Sequence, residues 1–449
     1  LSLMQTEQIQ THGNLWQNLQ SSMIVISLGV FLASCVLAGK YPVMTSFALV
    51  ASILYILSTF SFWWKKSSAR SGILIFIASM IFLLTANKSG ELNLLAVFVR
   101  YSDVMLLLVG MALLRQVMNA INFNAALGAY LLQKKPSRVT LSITLLTAFL
   151  TWPMSLGAIP LLLDSLKKVV QPKFNLAKIV TRTVCITMVL MPTTIGAAAV
   201  WAAMPDIPHV PAMLVGIPLF LFSILLNQKS RVQLVAEDSH TVSDRGNMTS
   251  ILAFIGLFWG SFILSLSVLG LNPLQSITFT AVVLFIVSHF ANRKKQWAQQ
   301  LSESAQGISG EVVLLLACSL LTSVCMMLFA NIPQGITAFV SGLTTFQCYA
   351  IILFVLPLPG ILGIHPLIIF SVSWSIFSDY LSGNVVDYQI WICLFIATQL
   401  LSPVSINAIF AANSLNVSPG RTSFQMHYGY VLLFNLFALS YLGALSTII

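Results

Sequence analysis

Apolar residues recur along the chain in long runs separated by short polar or basic stretches. A run of about 17 to 25 such residues is long enough to cross a bilayer as a helix. Backbone polar groups in lipid must be satisfied within the segment, and the runs lack the two-residue alternation of a membrane barrel. We therefore predict an all-α polytopic membrane protein with about 11 transmembrane helices. The predicted spans lie near 22–39, 42–62, 71–87, 93–114, 176–203, 210–227, 249–270, 274–291, 311–331, 388–413 and 427–446.

The segment 139–166 departs from this pattern. Between Arg138 and Lys167 lie 28 mostly apolar residues. One crossing needs about 20 residues and two need about 40. The middle of the segment, TWPMSLGAIP, contains proline and glycine, which interrupt helices. We predict a re-entrant hairpin that returns to the side from which it came.

A second copy of the same pattern lies further along the chain, at 346–377. The spacing of proline and glycine in TWPMSLGAIP recurs in PLPGILGIHPLI, 206 residues downstream. A long apolar span with an internal proline follows each copy. We predict an internal repeat, 71–227 and 274–446, with an N-terminal segment and two accessory spans over 1–70 and a loop with a linking span over 228–273. The residues predicted to shape the hairpins and spans are Pro153, Pro160, Pro192, Pro359, Pro366 and Pro403.

Basic loops predict the orientation. Lys65, Lys66 and Arg70 lie between two spans, and NRKK follows another at 292–295. Such loops stay in the cytoplasm. Alternation then places the first hairpin on the cytoplasmic side and the second on the outer side, so the two copies are inverted. Arg182 falls near a predicted cytoplasmic span end, where snorkelling accounts for it.

Composition narrows the class of function. Hydrophobic residues make up 57% of the chain and charged residues 8%, so the net charge of +10 is loop charge that orients spans and does not indicate a nucleic-acid surface. Six scattered cysteines form no C-x-x-C pair, and no nucleotide-binding loop of the G-x-x-x-x-G-K-[ST] type occurs. We predict no catalytic residue, no metal site and no resident cofactor.

Inverted repeats with segments broken by glycine and proline are typical of secondary transporters. Helix ends at mid-membrane offer N–H groups to an anion and carbonyl groups to a small cation. The 12 acidic residues fall almost wholly in loops or at span ends, which favours an anionic or neutral substrate. The candidate substrate-binding residues are Ser155, Gly157, Thr193, Thr194, Gly363, His365, Ser405 and Asn407.

Two other interpretations of these residues stay open. The hydroxyl and amide groups that follow the internal prolines could instead satisfy backbone groups that proline leaves unpaired. His365 could serve proton coupling or contact an anion, or it could be a hydrogen-bonded structural residue.

The stretch SPVSINAIFAANSLNVSP, at 402–419, and the preceding GIHPLI resemble signatures of the ion transporter superfamily. The resemblance is to the large membrane subunit of tripartite ATP-independent periplasmic transporters and to divalent-anion/sodium symporters. It implies a scaffold domain, a transport domain built on the two hairpins, elevator-like motion and a Na⁺ coupling ion.

The expected partners are a small anionic substrate, membrane lipids and a second copy of the chain in a homodimer, with no nucleic acid. A soluble binding protein or small membrane subunit would accompany a tripartite system, and the expected location is a bacterial inner membrane. Two alternatives stay open: a membrane-embedded enzyme or flippase acting on lipid-linked glycans, and a transporter-like subunit of a larger complex.

Overall fold

The structure is a computed structural model of the 449-residue chain. It describes residues 20–27, 29–30, 33–34, 37, 44–64, 67–85, 102–121, 138–154, 158–167, 170–191, 194–234, 248–271, 273–292, 297–329 and 334–448. These residues form two compact units. Unit 1 belongs to Leu1–Val117 and Leu257–Leu320, and unit 2 belongs to Met118–Gly256 and Leu321–Ile449. The predicted division at 71–227 and 274–446 follows the sequence repeat and stays a prediction.

The described part of the chain is almost wholly helical. The first helices are α1 (Met44–Trp63), α2 (Ser67–Thr85), α3 (Ser102–Ala120), α4 (Val139–Met154), α5 (Ala158–Leu166), α6 (Lys173–Ile186), α7 (Ile195–Ala203) and α8 (His209–Gln228). There follow α9 (Met248–Ser267), α10 (Pro273–Asn292), α11 (Trp297–Phe329), α12 (Gln334–Ser341), α13 (Thr345–Ala350), α14 (Leu358–Ile361) and α15 (Pro366–Phe377). The last are α16 (Val385–Leu401), α17 (Ile406–Leu415), α18 (Pro419–Thr422) and α19 (Phe424–Leu445). Two short strands, β1 (Val170–Gln171) and β2 (Gln233–Leu234), form an antiparallel pair.

Within these residues, three stretches are long and apolar enough to cross a membrane: His209–Gln228, Val385–Leu415 and Pro419–Leu445. A bent pair within α11 would make a fourth, and other apolar helices are shorter. The all-α prediction holds for the described residues, while the count of about 11 spans stays a prediction. Several helices differ from their predicted bounds by a few residues, and two differ by more: α3 continues to Ala120, and α11 begins at Trp297. Hydrophobicity marks the part of a helix that suits lipid and does not mark where its hydrogen bonds begin or end.

Glycines let helices approach closely within unit 1. A Cβ on Gly72 of α2 would lie 3.0 Å from the backbone of Leu314 in α11. A Cβ on Gly110 of α3 would lie 2.9 Å from Cα of Thr278 in α10. Small residues at such crossings favour helix association in membranes, where backbone approach replaces the hydrophobic effect.

Helix α16 forms the centre of unit 2. Every residue from Val386 to Leu401 is buried. A helix that is apolar on all sides is expected inside a larger bundle. It packs against α19, α8, α7 and α15. The elements of the candidate site are therefore arranged around one buried helix.

Both ends of the segment 139–166 lie beside the same strand. At its beginning, the Val232 N–H donates to Thr140 Oγ1 (3.4 Å). After its end, Val170 pairs with Leu234 in the two-stranded sheet. Helices α4 and α5 of this segment are about 24 Å and 14 Å long at 1.5 Å per residue, shorter than the hydrocarbon core of about 30 Å. The segment thus starts and finishes at one end of unit 2.

The two ends of the segment 346–377 meet on one carboxylate. Asp387, at the start of α16, is fully buried. Its Oδ1 accepts from the Tyr349 hydroxyl (2.6 Å), at the beginning of the segment. Its Oδ2 accepts from Ser382 Oγ and from the Gly383 N–H (2.8 Å each), just past the end. Several hydrogen bonds at a helix N-terminus offset the cost of burying this carboxylate.

The two segments enter unit 2 from opposite ends. Arg182 joins Ser230, near the ends of the first segment, to the Met426 carbonyl at the start of α19. At the other end of α19, Gly443 lies against Phe346 of the second segment. Helix α19 has 22 residues and is about 33 Å long, close to the thickness of the hydrocarbon core. The expectation that Arg182 snorkels is wrong, because its side chain turns inward to α19.

Replacing Tyr349 by Phe is expected to lower the free energy of unfolding by about 1.5–3 kcal/mol, the range for a hydrogen bond to a charged group. The change removes the hydroxyl that ties the beginning of the segment 346–377 to Asp387. Thermal unfolding of the purified protein measures the effect. Tyr428→Phe, at an exposed position on α19, is the matched control and should leave the melting temperature unchanged. Equal melting temperatures for both variants would contradict a stabilising hydrogen bond between Tyr349 and Asp387.

Candidate functional site

Two helices of unit 2 are broken near their middles. Helix α6 and the 3-10 turn Thr187–Val189 end before α7 begins at Ile195. Helix α16 ends at Leu401, and α17 begins at Ile406. Proline explains both breaks, because Pro192 and Pro403 lack the N–H that would continue the helical ladder. Each break leaves a new helix N-terminus inside unit 2.

Predicted site residues cap both of these N-termini. Thr194 Oγ1 accepts from the Ala197 N–H (3.4 Å), and Ser405 Oγ accepts from the Ala408 N–H (3.2 Å). Each residue follows its proline by two positions, and both side chains are fully buried. The hydroxyls therefore satisfy the backbone, as one of the two interpretations held. The remaining N–H groups of the first turns are those that could meet a ligand.

The two broken helices cross near their breaks. At the start of α17, Asn407 Nδ2 donates to Cys185 Sγ of α6 (2.6 Å). At the start of α7, a Cβ on Gly196 would lie 2.6 Å from the ring of Phe395 in α16. Asn407 and Gly196 each follow the capping residue by two positions. The crossing is thus pseudo-symmetric, with an amide in the second copy where the first has glycine.

The tip of the segment 346–377 lies against the second break. Ser402 Oγ donates to the Ile364 carbonyl (3.0 Å). The chain reverses at Gly363, whose φ of +94° is open to glycine and strained for other residues. Pro359 stands in the first turn of α14 and Pro366 at the first position of α15, where proline is tolerated.

His365 caps α15 and leaves one ring nitrogen without a partner. Its Nδ1 accepts from the Leu367 N–H (3.2 Å). A neutral ring that accepts at Nδ1 carries its proton on Nε2. This Nε2 is buried and has no hydrogen-bond partner among the described residues. His365 therefore has a structural role and also offers a free donor near the tip.

Side-chain amides replace donors that proline removes. Gln389 Nε2 donates to the carbonyls of Val189 (2.9 Å) and Ala212 (2.7 Å). The Val189 carbonyl is the last of the 3-10 turn and stands three residues before Pro192, which has no N–H to continue that turn. Asn435 Nδ2 likewise donates to the Leu353 carbonyl, four residues before Pro357. Both amides hold an interrupted backbone in shape.

Several buried polar atoms near these breaks have no partner in the described part of the chain. Asn407 Oδ1 lies at the start of α17, and Gln399 Oε1 lies in the last turn of α16. Leaving a buried acceptor unpaired costs about 1–3 kcal/mol, so such atoms are candidates for contact with a ligand or an ion. Among the described residues, no three His, Cys, Asp or Glu side chains come together as a metal site.

Some predicted residues cannot be placed. Ser155, Gly157, Pro192 and Thr193 lie outside the described residues, as do the side-chain surroundings of Pro153. Pro160 is the third residue of α5 and is half-buried. Pro403 lies in the second break.

Ser402, Gln389 and Gln399 lie at the breaks but are not among the residues predicted from the sequence. Amides at 389 and 399 in the otherwise apolar run QIWICLFIATQLL are a signal that could have identified the last two.

The chain matches no known protein family and no curated protein. Its structure is similar to the crystal structure of the YdaH transporter of Alcanivorax borkumensis, with a TM-score of 0.53. The likeness covers 86% of this chain and 97% of that chain, at 13% sequence identity. The chain is therefore similar in fold to a membrane transporter. At this identity the likeness concerns the fold of an all-α integral membrane protein, and the superfamily suggested by the sequence stays a prediction.

Proposed function

We propose that the chain is a secondary active transporter that moves a small organic anion across the membrane by alternating access. The observation that carries the proposal is the crossing of two broken helices inside unit 2, with the tip of the segment 346–377 at the second break. Helices α7 and α17 begin at these breaks, and the N-terminus of a helix attracts negative charge through its free N–H groups and its dipole. The free donor on His365 adds to this preference.

The placement of the segments 139–166 and 346–377 supports alternating access. They enter unit 2 from opposite ends, so each can close the central region toward one side of the membrane. Both segments and both breaks belong to unit 2. We propose that unit 2 carries the bound anion in an elevator-like movement, and that the membrane is a bacterial inner membrane.

The unpaired buried oxygen atoms near the second break favour Na⁺ as the coupling ion. Small hard cations bind carbonyl, amide and hydroxyl oxygens. Asn407 Oδ1 and Gln399 Oε1 are buried acceptors without partners in the described residues. A Na⁺ ion at either oxygen would also offset the negative charge of the substrate.

Purified protein in liposomes is expected to exchange a radiolabelled organic anion against an internal pool of the same anion. A panel of mono- and dicarboxylates identifies the substrate class by this counterflow. An inward Na⁺ gradient is expected to drive accumulation above the level reached with a K⁺ gradient of the same size. An imposed proton gradient serves as the comparison for the coupling ion.

Liposomes without protein give the background. Absence of counterflow for every anion, with protein of correct fold in the membrane, would contradict a transporter that works as a single chain. Accumulation driven by the proton gradient alone would contradict sodium coupling and leave the transport proposal in place.

A further inference from the structure

Arg182 is a buried cation whose described hydrogen bonds all go to neutral acceptors. The side chain is 8% exposed and lies in α6. Its Nε donates to His427 Nδ1 (3.2 Å), Nη1 to Ser230 Oγ (3.3 Å) and Nη2 to the Met426 carbonyl (3.0 Å). Buried arginines are ordinarily paired with a carboxylate, because removing a lone charge from water is costly.

His427 does not supply the missing negative charge. Since its Nδ1 accepts from Arg182, the ring proton is on Nε2, which lies 3.2 Å from Thr181 Oγ1. The imidazole is therefore neutral. The Tyr430 ring, whose centroid is 4.6 Å from the guanidinium carbon, offers a cation–π contact and no net charge.

A second cation increases the excess of positive charge. Lys178 lies one helical turn before Arg182, on the same face of α6. Lys178 and Arg182 both act electrostatically on the His427 ring. At the same end of unit 2, Lys229 and Arg231 flank Ser230 and are exposed. Such a gradient of positive charge raises the local concentration of anions.

The guanidinium keeps donors for an anion. It has five N–H groups, and three are used by the acceptors above. One N–H on Nη1 and one on Nη2 have no acceptor in the part of the chain that the structure describes. Arginine binds carboxylate and phosphate groups through pairs of such donors. Ser230 is half-buried. Of the three groups that accept from Arg182, its hydroxyl is the one that an incoming oxyanion can displace with the smallest structural change.

We propose that Arg182 and Lys178, with His427 as a neutral support, form an oxyanion site at the end of unit 2 where the segment 139–166 begins and ends. The site takes a single carboxylate or phosphate group. That group belongs either to a free anion or to the headgroup of an acidic lipid, since both present the same oxygens to a basic pocket between helices. The site differs from the two breaks and does not depend on the proposed transport.

The test measures thermal unfolding of the full chain in nanodiscs of phosphatidylcholine. One arm adds inorganic phosphate, with chloride at matched ionic strength as the comparison. The other arm replaces part of the lipid by phosphatidylglycerol. We expect one or both additions to raise the melting temperature of the unaltered protein. Phosphate acting in neutral lipid identifies a free anion as the source, and an effect of phosphatidylglycerol alone identifies a headgroup.

Variants connect the response to the site. In Arg182→Gln the apparent dissociation constant for phosphate or phosphatidylglycerol, whichever stabilises the unaltered protein, is expected to rise about tenfold or more. The reason is the loss of the charged guanidinium, which can bind an oxyanion through two N–H groups. Arg182→Lys keeps the positive charge but lacks the guanidinium. Its dissociation constant should lie between those of the unaltered protein and Arg182→Gln. Lys178→Gln, at a half-buried position, provides a milder variant if Arg182→Gln does not fold, with an expected rise of about threefold. Lys173→Gln, an exposed cation on α6, is the control and should keep the full response.

Two results would overturn the proposal. One is a folded protein whose melting temperature responds to neither addition, or responds equally in Arg182→Gln. The other concerns Glu237, Asp238 and Asp244, which lie outside the described residues. The test replaces all three by amides, once in the unaltered protein and once in Arg182→Gln. If the melting temperature falls only in the first case, the negative charge that pairs with Arg182 comes from the chain itself.

Discussion

Replacing Asn407 by Leu is expected to reduce anion uptake at least about tenfold while leaving the melting temperature unchanged or higher. Asn407 Oδ1 is a proposed Na⁺ ligand, and a polar contact with a charged group contributes about 1.5–3 kcal/mol, while 1.4 kcal/mol corresponds to a factor of ten in affinity. Asn407 Oδ1 is buried at the second break without a partner in the described residues. An apolar side chain of similar size removes this unpaired oxygen, so the fold should not suffer.

Uptake and melting temperature together separate a ligand contact of Asn407 from a structural role. A ligand contact predicts lower uptake without a lower melting temperature. Loss of uptake together with a lower melting temperature would mean that the Asn407 contact with Cys185 holds the crossing of α6 and α17. Asn413→Leu changes an exposed amide on the same helix and should leave uptake intact. Full uptake by the Asn407 variant would remove this residue from the site.

Gly216→Ala is expected to destabilise unit 2 by more than about 3 kcal/mol and to abolish uptake. A Cβ at this position in α8 would overlap the carbonyl oxygen of Val189 and lie 3.1 Å from Gln389 Nε2. Overpacking costs about 1–3 kcal/mol. Displacing the amide would also remove the donor that satisfies the Val189 carbonyl, at about 1–3 kcal/mol, and a second hydrogen bond to the Ala212 carbonyl. The first break would lose the contact that fixes its position.

Thermal unfolding and uptake by the same preparation measure this effect. Gly429→Ala is the matched control, because a Cβ there meets nothing within 4 Å and alanine favours the interior of α19. A Gly216 variant as stable as the control would show that α8 can move away from Val189. The expected displacement of the Gln389 amide would then be wrong.

The helical segments of the candidate site could be predicted from local sequence. The hairpin segment 139–166 contains α4 and α5, which begin and end at its predicted limits, and α15 ends at the predicted Phe377. The limits of the segment 139–166 follow from the basic residues that flank it, whose preference for the membrane surface needs no tertiary partner. The capping roles of Thr194 and Ser405 were one of two open interpretations for a similar reason, since such a hydroxyl accepts from the backbone of its own turn.

The partners of polar side chains could not be predicted in this way. Snorkelling was the local explanation for Arg182, yet its side chain binds the Met426 carbonyl, 244 residues away in the chain. Asp387 fell within no predicted span, although its carboxylate joins both ends of a hairpin segment. Each contact depends on which helices of unit 2 are neighbours, which the sequence pattern does not state.

The sequence by itself determined that this protein is built from apolar helices, two of its segments being broken by proline and glycine in a repeated order. Lipid allows no unpaired backbone, so hydrophobic length and helix-breaking residues fix these features locally. Only the tertiary structure decided that the broken helices cross, that Gln389 satisfies the Val189 carbonyl and that a buried arginine lacks an acidic partner among the described residues. These features depend on the packing of distant helices around α16, because hydrogen bonds form between groups that the fold brings within about 3 Å.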